Sequence, residues 1–189
     1  MMFALFSLDS DMSGSASTIH DKAAFEQFYD QTYLQVYRYI YGLHGGPAED
    51  VEDLTADTYF RAWKARKRFD GDGKAAYSWI LTIARNLVID SYRKNKRSIQ
   101  LQHFEDPERF EIEDKSLIHP EDELVADEKQ KILLEILFSL PIDTREMIVL
   151  RYSLGWPVKQ IADRFDMLEN TVTVRIRRAF TQIRKVWPA

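Results

Sequence analysis

Five basic residues and no acidic one stand between Asn170 and Ala189. On a helical wheel, Asn170, Val174, Arg177, Arg178, Thr181 and Lys185 share one face. Val172, Ile176, Ala179, Phe180, Ile183 and Trp187 share the opposite, apolar one. Guanidiniums meet phosphates and guanine edges, and small apolar groups meet thymine methyls, so such a face suits the major groove. Just upstream, Ile161, Ala162 and Phe165 mark a short helix, and Asp166-Met167-Leu168 a three-residue turn. Ala162 is small where two helices must cross closely. Short helix, turn and longer basic helix are the parts of a helix-turn-helix. Periodicity alone fits equally well an amphipathic C-terminal helix with a solvated basic face.

A second cationic face lies on a long helix over residues 75–96. Ala76, Tyr77, Ile80, Ile83, Ala84, Leu87 and Val88 form its apolar side. Thr82, Arg85, Asn86, Ile89 and Arg93 form the other, followed by Lys94, Lys96 and Arg97. Amides among cations can hold a phosphate backbone and inspect unstacked bases, and Phe69, Tyr77 and Trp79 are potential stacking surfaces. The same aromatics also fit a core, and Asn86 an ordinary surface position.

Other chemistries find little support. His20, His44, His103 and His119 are scattered, with no nucleophile–base spacing and no glycine-rich phosphate loop, so catalysis is not expected. Glu49, Asp50, Glu52, Asp53 and Asp57 crowd one helix start without a histidine beside them. They suit the positive end of a helix dipole or a basic partner better than a metal. No cofactor is expected. The chain has no cysteine, which removes disulfides, thiolate metal sites and thiol catalysis.

These faces must be carried by helices. Phe25, Phe28, Tyr29, Leu34, Val36, Tyr37, Ile40 and Tyr41 recur at helical spacings and Gly45-Gly46-Pro47 stops them. A helix over 50–67 starts acidic and ends basic, and Asp70-Gly71-Asp72-Gly73 makes a loop. Four helices are expected over 125–139, 143–153, 158–165 and 169–187, punctuated by Pro141 and Gly155-Trp156-Pro157. Nothing alternates like a half-buried strand. The 189 residues allow one ordinary domain or two small ones, and 45% hydrophobic with 30% charged residues is a globular balance.

Charge divides the chain. Residues 1–20 carry −2, residues 21–97 carry +2, residues 98–125 carry −7 and residues 126–189 carry +3, which sum to the net −4. Two mildly basic blocks flank an acidic stretch, a distribution that favours nucleic acid where the total charge would not. The expected architecture is all-α. A Ser/Gly-rich, disordered tail (1–20) precedes one small helical domain (21–97). A flexible acidic linker (98–125) leads to a second domain with the helix-turn-helix (126–189). Stretched out, the linker spans about 90 Å. No apolar run is long enough for a membrane span and no basic leader precedes Met1–Leu8, so a cytoplasmic protein is expected.

Two groups of residues carry a family resemblance. The first reads Glu52-Asp53-Leu54-Thr55-Ala56-Asp57-Thr58-Tyr59-Phe60-Arg61-Ala62-Trp63, then Trp79-Ile80-Leu81-Thr82-Ile83-Ala84-Arg85-Asn86. The second comprises Leu140-Pro141, Arg145-Glu146, Leu150-Arg151-Tyr152, Gly155, Ile161-Ala162, Thr171-Val172, Arg175 and Arg178-Ala179. Together, in this order, they resemble the second and fourth conserved regions of bacterial RNA polymerase sigma factors of the extracytoplasmic-function (ECF) group. The resemblance spans residues 22–97 and 126–187.

It implies a division of labour. The first domain binds core RNA polymerase at the largest subunit's clamp helices, through Asp50, Asp53, Leu54, Asp57 and Arg61. It also binds the −10 promoter element through Phe69, Lys74, Arg85, Asn86 and Arg93, with the 69–74 loop taking a flipped base. The second domain reads the −35 element through Lys159, Asn170, Thr171, Thr173, Val174, Arg177 and Arg178, and meets the flap of the second-largest subunit. An anti-sigma factor is a common further partner in the family. The acidic linker follows the RNA exit path, or is a plain tether. Ala56 stands where the family often has Gln, Asp166 where it has Gly, Leu168 where it has a Ser/Thr N-cap. Thr173 and Val174 replace a basic–Ser pair and are expected to touch thymine methyls. The competing reading is a stand-alone helix-turn-helix regulator whose N-terminal block dimerises or senses.

Overall fold

The computed structural model describes residues 19–102 and 136–186, with side chains over 19–94 and 136–184. The tail, most of the acidic stretch, His103, His119, the start of the 125–139 helix, Trp187 and the side chains of Lys96, Arg97 and Lys185 lie outside that description. The described residues are helical throughout, with no strand among them.

The N-terminal block is a three-helix unit. Helix α1 spans Lys22–His44, α2 Ala48–Ala65 and α3 Gly73–Gln102, with one 3₁₀ turn, Arg66–Arg68, after α2. Asp21 caps α1, its carboxylate accepting from the Ala24 N–H at 2.8 Å. Gly45 closes α1 in the left-handed region, φ 62°, and returns its N–H to Tyr41 O. Asp72 starts α3 by accepting from Ala75 N–H, so the helix begins two residues before the expected 75. Its end, Gln102, lies beyond the expected 96. Leu54 is half-buried between the fully buried Val51 and Thr58, whose hydroxyl bonds back to Leu54 O at 2.7 Å.

The C-terminal block comprises helical residues 136–139, α4 (Ile142–Ile148), α5 (Val158–Phe165) and α6 (Glu169–Val186). The single helix expected over 143–153 is in fact α4 followed by a widened π-type turn, Val149–Ser153. Its bonds, from Leu154 N–H to Val149 O and Trp156 N–H to Leu150 O, turn the chain and bury Trp156. Asp166 makes the α5–α6 turn in the left-handed region, φ 50°, the conformation for which glycine is the usual residue.

The two blocks pack on each other. One contiguous buried cluster holds Tyr39, Ile40 and Leu43 of α1, Ile80 and Leu81 of α3, and Met147, Leu150 and Trp156 of the C-terminal block. This contact reorganises the expected faces. On α1, Tyr29 and Leu34 of the expected stripe are exposed, while Tyr39 and Leu43, which lie off it, are fully buried. Leu81 is likewise fully buried beside the expected apolar side of α3. Tyr39 and Leu43 sit where one block meets the other, the Tyr39 hydroxyl on Glu146 and the Leu43 carbonyl on Arg145. A Cβ added at Gly42 would lie 2.7 Å from a Val149 methyl, so glycine permits the approach of α1 to the π-type turn.

Candidate nucleic-acid interface

Helix α6 lies on the C-terminal block by Val172, Ile176, Ala179 and Ile183, all buried. Phe180, half-buried, meets Tyr152 edge-on at 5.0 Å. Opposite, Asn170, Thr171, Thr173, Arg175, Arg177, Arg178 and Thr181 are exposed, as is Lys159 at the start of α5. Val174 is 36% exposed and Leu168, just before the helix, is 78% exposed. The Thr173 hydroxyl donates to Glu169 O at 2.9 Å. Its proton is committed to the helix, which leaves the methyl group for an outside contact. The −35 candidates on α6 therefore share one exposed, cationic helix face carrying Thr and Val methyls, and Lys159 is exposed separately on α5.

The −10 candidates are not equally open. Asn86 and Lys74 are exposed. Arg93 is exposed beside Asp90 at 3.8 Å. Phe69 is half-buried with its ring 4.9 Å from Trp79, and its carbonyl pairs with His20 Nε2 at 2.6 Å, so the start of the 69–74 loop is fastened to the block. Arg85 faces the C-terminal block. Its Nε donates to Glu146 Oε2 and its Nη2 to Asp143 Oδ1, both at 2.6 Å. Burial works against the cation, but the hydrogen bonds and charges of the two carboxylates outweigh it, and the Arg85 pKa is raised.

Glu146 is fully buried. Besides Arg85 it accepts from the Tyr39 hydroxyl at 2.7 Å and from Arg164 Nε at 2.8 Å. Arg164 reaches further, to Ser78 O at 3.2 Å and the Thr82 hydroxyl at 3.4 Å, on the same α3 face as Arg85. Beside this cluster, Arg145 is buried, with no carboxylate partner among the described residues. It donates instead to the carbonyls of Leu137, Phe138, Leu140 and Leu43 and to the Tyr92 hydroxyl. Burial lowers its pKa. Tyr39, Asp143 and Arg164 were missed by sequence reasoning. Arg145-Glu146 stood out in the sequence, but nothing there said that the pair joins the blocks.

Asp50, Asp53, Asp57 and Arg61 are exposed along α2, with Ala56 among them. Phe60 is 55% exposed with Lys64 Nζ 4.1 Å above its ring. Pro47 leads into this helix without a side-chain cap, so Glu49 and Asp50 meet the helix dipole directly.

Residues 28–98 match the Sigma-70 region 2 family and residues 130–183 the Sigma-70, region 4 family. The ECF RNA polymerase sigma factor SigK of Mycolicibacterium vanbaalenii is 31% identical over 167 residues, 87% of this chain and 82% of its own. The chain belongs to the ECF RNA polymerase sigma factors. The ECF sigma factor BldN of Streptomyces coelicolor is also 31% identical, over 165 residues, and this chain spans 61% of its length. Among solved structures, the sigma factor RpoE in complex with the anti-sigma factor NepR from Bartonella quintana shares the fold with TM-score 0.64. The identity is 23%, over 87% of this chain and 97% of that one. CnrH in complex with the cytosolic domain of CnrY aligns with TM-score 0.62 and 21% identity, over 91% and 97%.

Sigma factors are transcription initiation factors, so this membership decides for a promoter-recognising sigma factor over the stand-alone regulator. Among the described residues no helix is long and apolar enough to cross a membrane.

Proposed function

We propose that this sigma factor binds core RNA polymerase through α2, engages the −10 element through α3 and its preceding loop, and reads the −35 element through α6. The exposed cationic face of α6, with Val174 and the Thr173 methyl among the arginines, is the observation that carries the reading. Asp50, Asp53, Asp57 and Arg61 on α2 offer a charged edge to the clamp helices, with Leu54 beneath them. Asn86 inspects an unstacked −10 base, Lys74, Arg85 and Arg93 line the strand's path, and Phe69 shapes the base pocket. Lys159, Asn170, Thr171, Arg177 and Arg178 hold and read the −35 duplex. The C-terminal block also meets the flap of the second-largest polymerase subunit. An anti-sigma factor is a further partner, in keeping with the anti-sigma complexes of the related folds. The protein works in the cytoplasm, where the polymerase is, with no cofactor and no catalytic group of its own.

Run-off transcription from a promoter library tests this. Core polymerase with the protein should yield discrete transcripts that core alone does not. Tight duplex binding by the protein alone, with no new transcripts in the presence of core, would overturn it.

A further inference from the structure

Met1-Met2-Phe3-Ala4-Leu5-Phe6-Ser7-Leu8 is apolar but for Ser7 and carries no charged side chain. Neither the polymerase role nor the promoter role draws on it. A run of this kind left in water is unfavourable, so it calls for a surface to cover it.

The first block carries such a surface. Where the first turns of α1 meet the last turn of α2 lies an open groove of about 540 Å³, within the size range of binding clefts. Phe25, Tyr29 and Trp63 are its apolar lining, and Lys22, Glu26 and Asp30 its charged one. The Phe25 and Trp63 rings meet edge-on at 5.2 Å, and Tyr29 rests on Tyr59 at 4.6 Å. Tyr29 is still 38% exposed, so its ring offers area to a further contact. Lys22 and Glu26 pair with each other at 3.5 Å. The rim thus neutralises much of its own charge, and an uncharged, apolar occupant suits the groove better than a cationic one.

The chain also leaves the fold beside this groove. Ile19 is buried, and His20 O accepts from Arg66 Nε at 3.0 Å. The Arg66 guanidinium lies 3.2 Å from the Trp63 ring centroid. Lys22, a wall of the groove, is three residues on from Ile19, at most about 11 Å away. Residues 9–18 are Ser-rich, and a stretch of that length and composition averages about 17 Å end to end. Such a tether gives residues 1–8 an effective concentration of about millimolar at the groove. Their length fits as well. Residues 22–30 run about 12 Å along α1, as eight residues do in a helix. Phe3 and Phe6 have the i, i+3 spacing of helix-in-groove anchors.

We propose that residues 1–8 dock in the α1–α2 groove of their own chain, with Phe3 and Phe6 against Tyr29 and Trp63. Because His20 Nε2 bonds Phe69 O at 2.6 Å, the docked segment also steadies the start of the 69–74 loop.

The test uses the full-length chain. With p-benzoylphenylalanine in place of Phe6, irradiation should link position 6 to peptides holding residues 22–30 or Trp63, in a yield unchanged by tenfold dilution. Adding Phe3→Ser should lower that yield at least threefold. Separately, in Phe3→Ser/Phe6→Ser the amides of residues 25–30 should exchange with deuterium at least threefold faster, with the core side chains untouched. Adducts on another surface, no adduct, or unchanged exchange would each overturn the inference. Adducts that form only between chains and fade on dilution would give the groove to a second copy. Flotation with phosphatidylglycerol vesicles, lost in the double variant, would give residues 1–8 to a lipid surface. Either result overturns it too. None of these readouts uses a promoter, so their failure leaves the proposed function standing.

Discussion

Tyr39 and Glu146 stand 107 residues apart in the chain and 2.7 Å apart in the fold, the phenol of α1 donating to the carboxylate of α4. Both are fully buried. This bond, with the two arginines that share the carboxylate, joins the two conserved regions into one packed body. Removing only the hydroxyl, by Tyr39→Phe, should cost about 1.5–3 kcal/mol, the range for a hydrogen bond to a charged group. Urea unfolding measures it. Burial first, and Glu146 second, raise the Tyr39 pKa well above its usual value. The resulting stability is complete below about pH 10 and should fall away as the pH rises above it, less so in Tyr39→Phe.

Arg145 should be among the residues least tolerant of change. Its guanidinium satisfies carbonyls from two blocks at once, and its Cζ lies 4.1 Å from the Phe138 ring centroid. Arg145→Met should cost about 3–5 kcal/mol by leaving buried carbonyls unpaired. Arg145→Lys should recover little, because an ammonium cannot reproduce the fork. Denaturant midpoints of the two variants provide the check.

Asn86→Ala should impair promoter opening more than polymerase binding. Asn86 is exposed and lies outside the Glu146 cluster, so its loss leaves the fold intact. Permanganate reactivity of promoter thymines should fall while the affinity for core polymerase stays unchanged. Equal loss in both would remove Asn86 from the −10 role.

Val174→Ser should shift promoter preference at one −35 position. Losing a methyl–methyl contact is worth about 0.8 kcal/mol, roughly a fourfold change in preference for thymine there. Sequencing transcripts from a randomised −35 library reads it. An unchanged profile would mean that Val174 faces away from the bases.

His44 should make the fold acid-sensitive. Its ring stacks on Tyr92 at 5.6 Å, and its buried Nδ1 has no hydrogen-bond partner among the described residues. Burial lowers its pKa, and the nearby Asp50 only partly opposes this. The depressed value means that the unfolded chain binds the proton more readily. Stability is therefore complete above about pH 6.5 and declines as the pH falls through the folded value. His44→Phe should flatten that decline in thermal melts taken from pH 7 to pH 5.

The three helices of the first block, the helix-turn-helix and the buried stripe of α6 were legible in the sequence. Each is a local pattern in which one apolar face repeats every 3.6 residues and capping or turn residues mark its ends. The exposure of the −35 candidates was legible for the same reason, since a face pointing at solvent is simply the complement of the buried one. The π-type turn at Val149–Ser153 was not, because one inserted residue per turn changes the hydrogen bonding without changing the composition.

Sequence by itself determined which helices form, which family they belong to, and that cations gather on α3 and α6. Tertiary structure alone decided that Tyr39, Leu43 and Leu81 are core, that Arg145 and Glu146 are an inner joint, and that Arg85 faces carboxylates rather than solvent. The reason is that periodicity reports one buried face per helix. Where a helix is covered on two sides, by its own block and by another more than forty residues away, the second face obeys no local period, and only the packed fold reveals it.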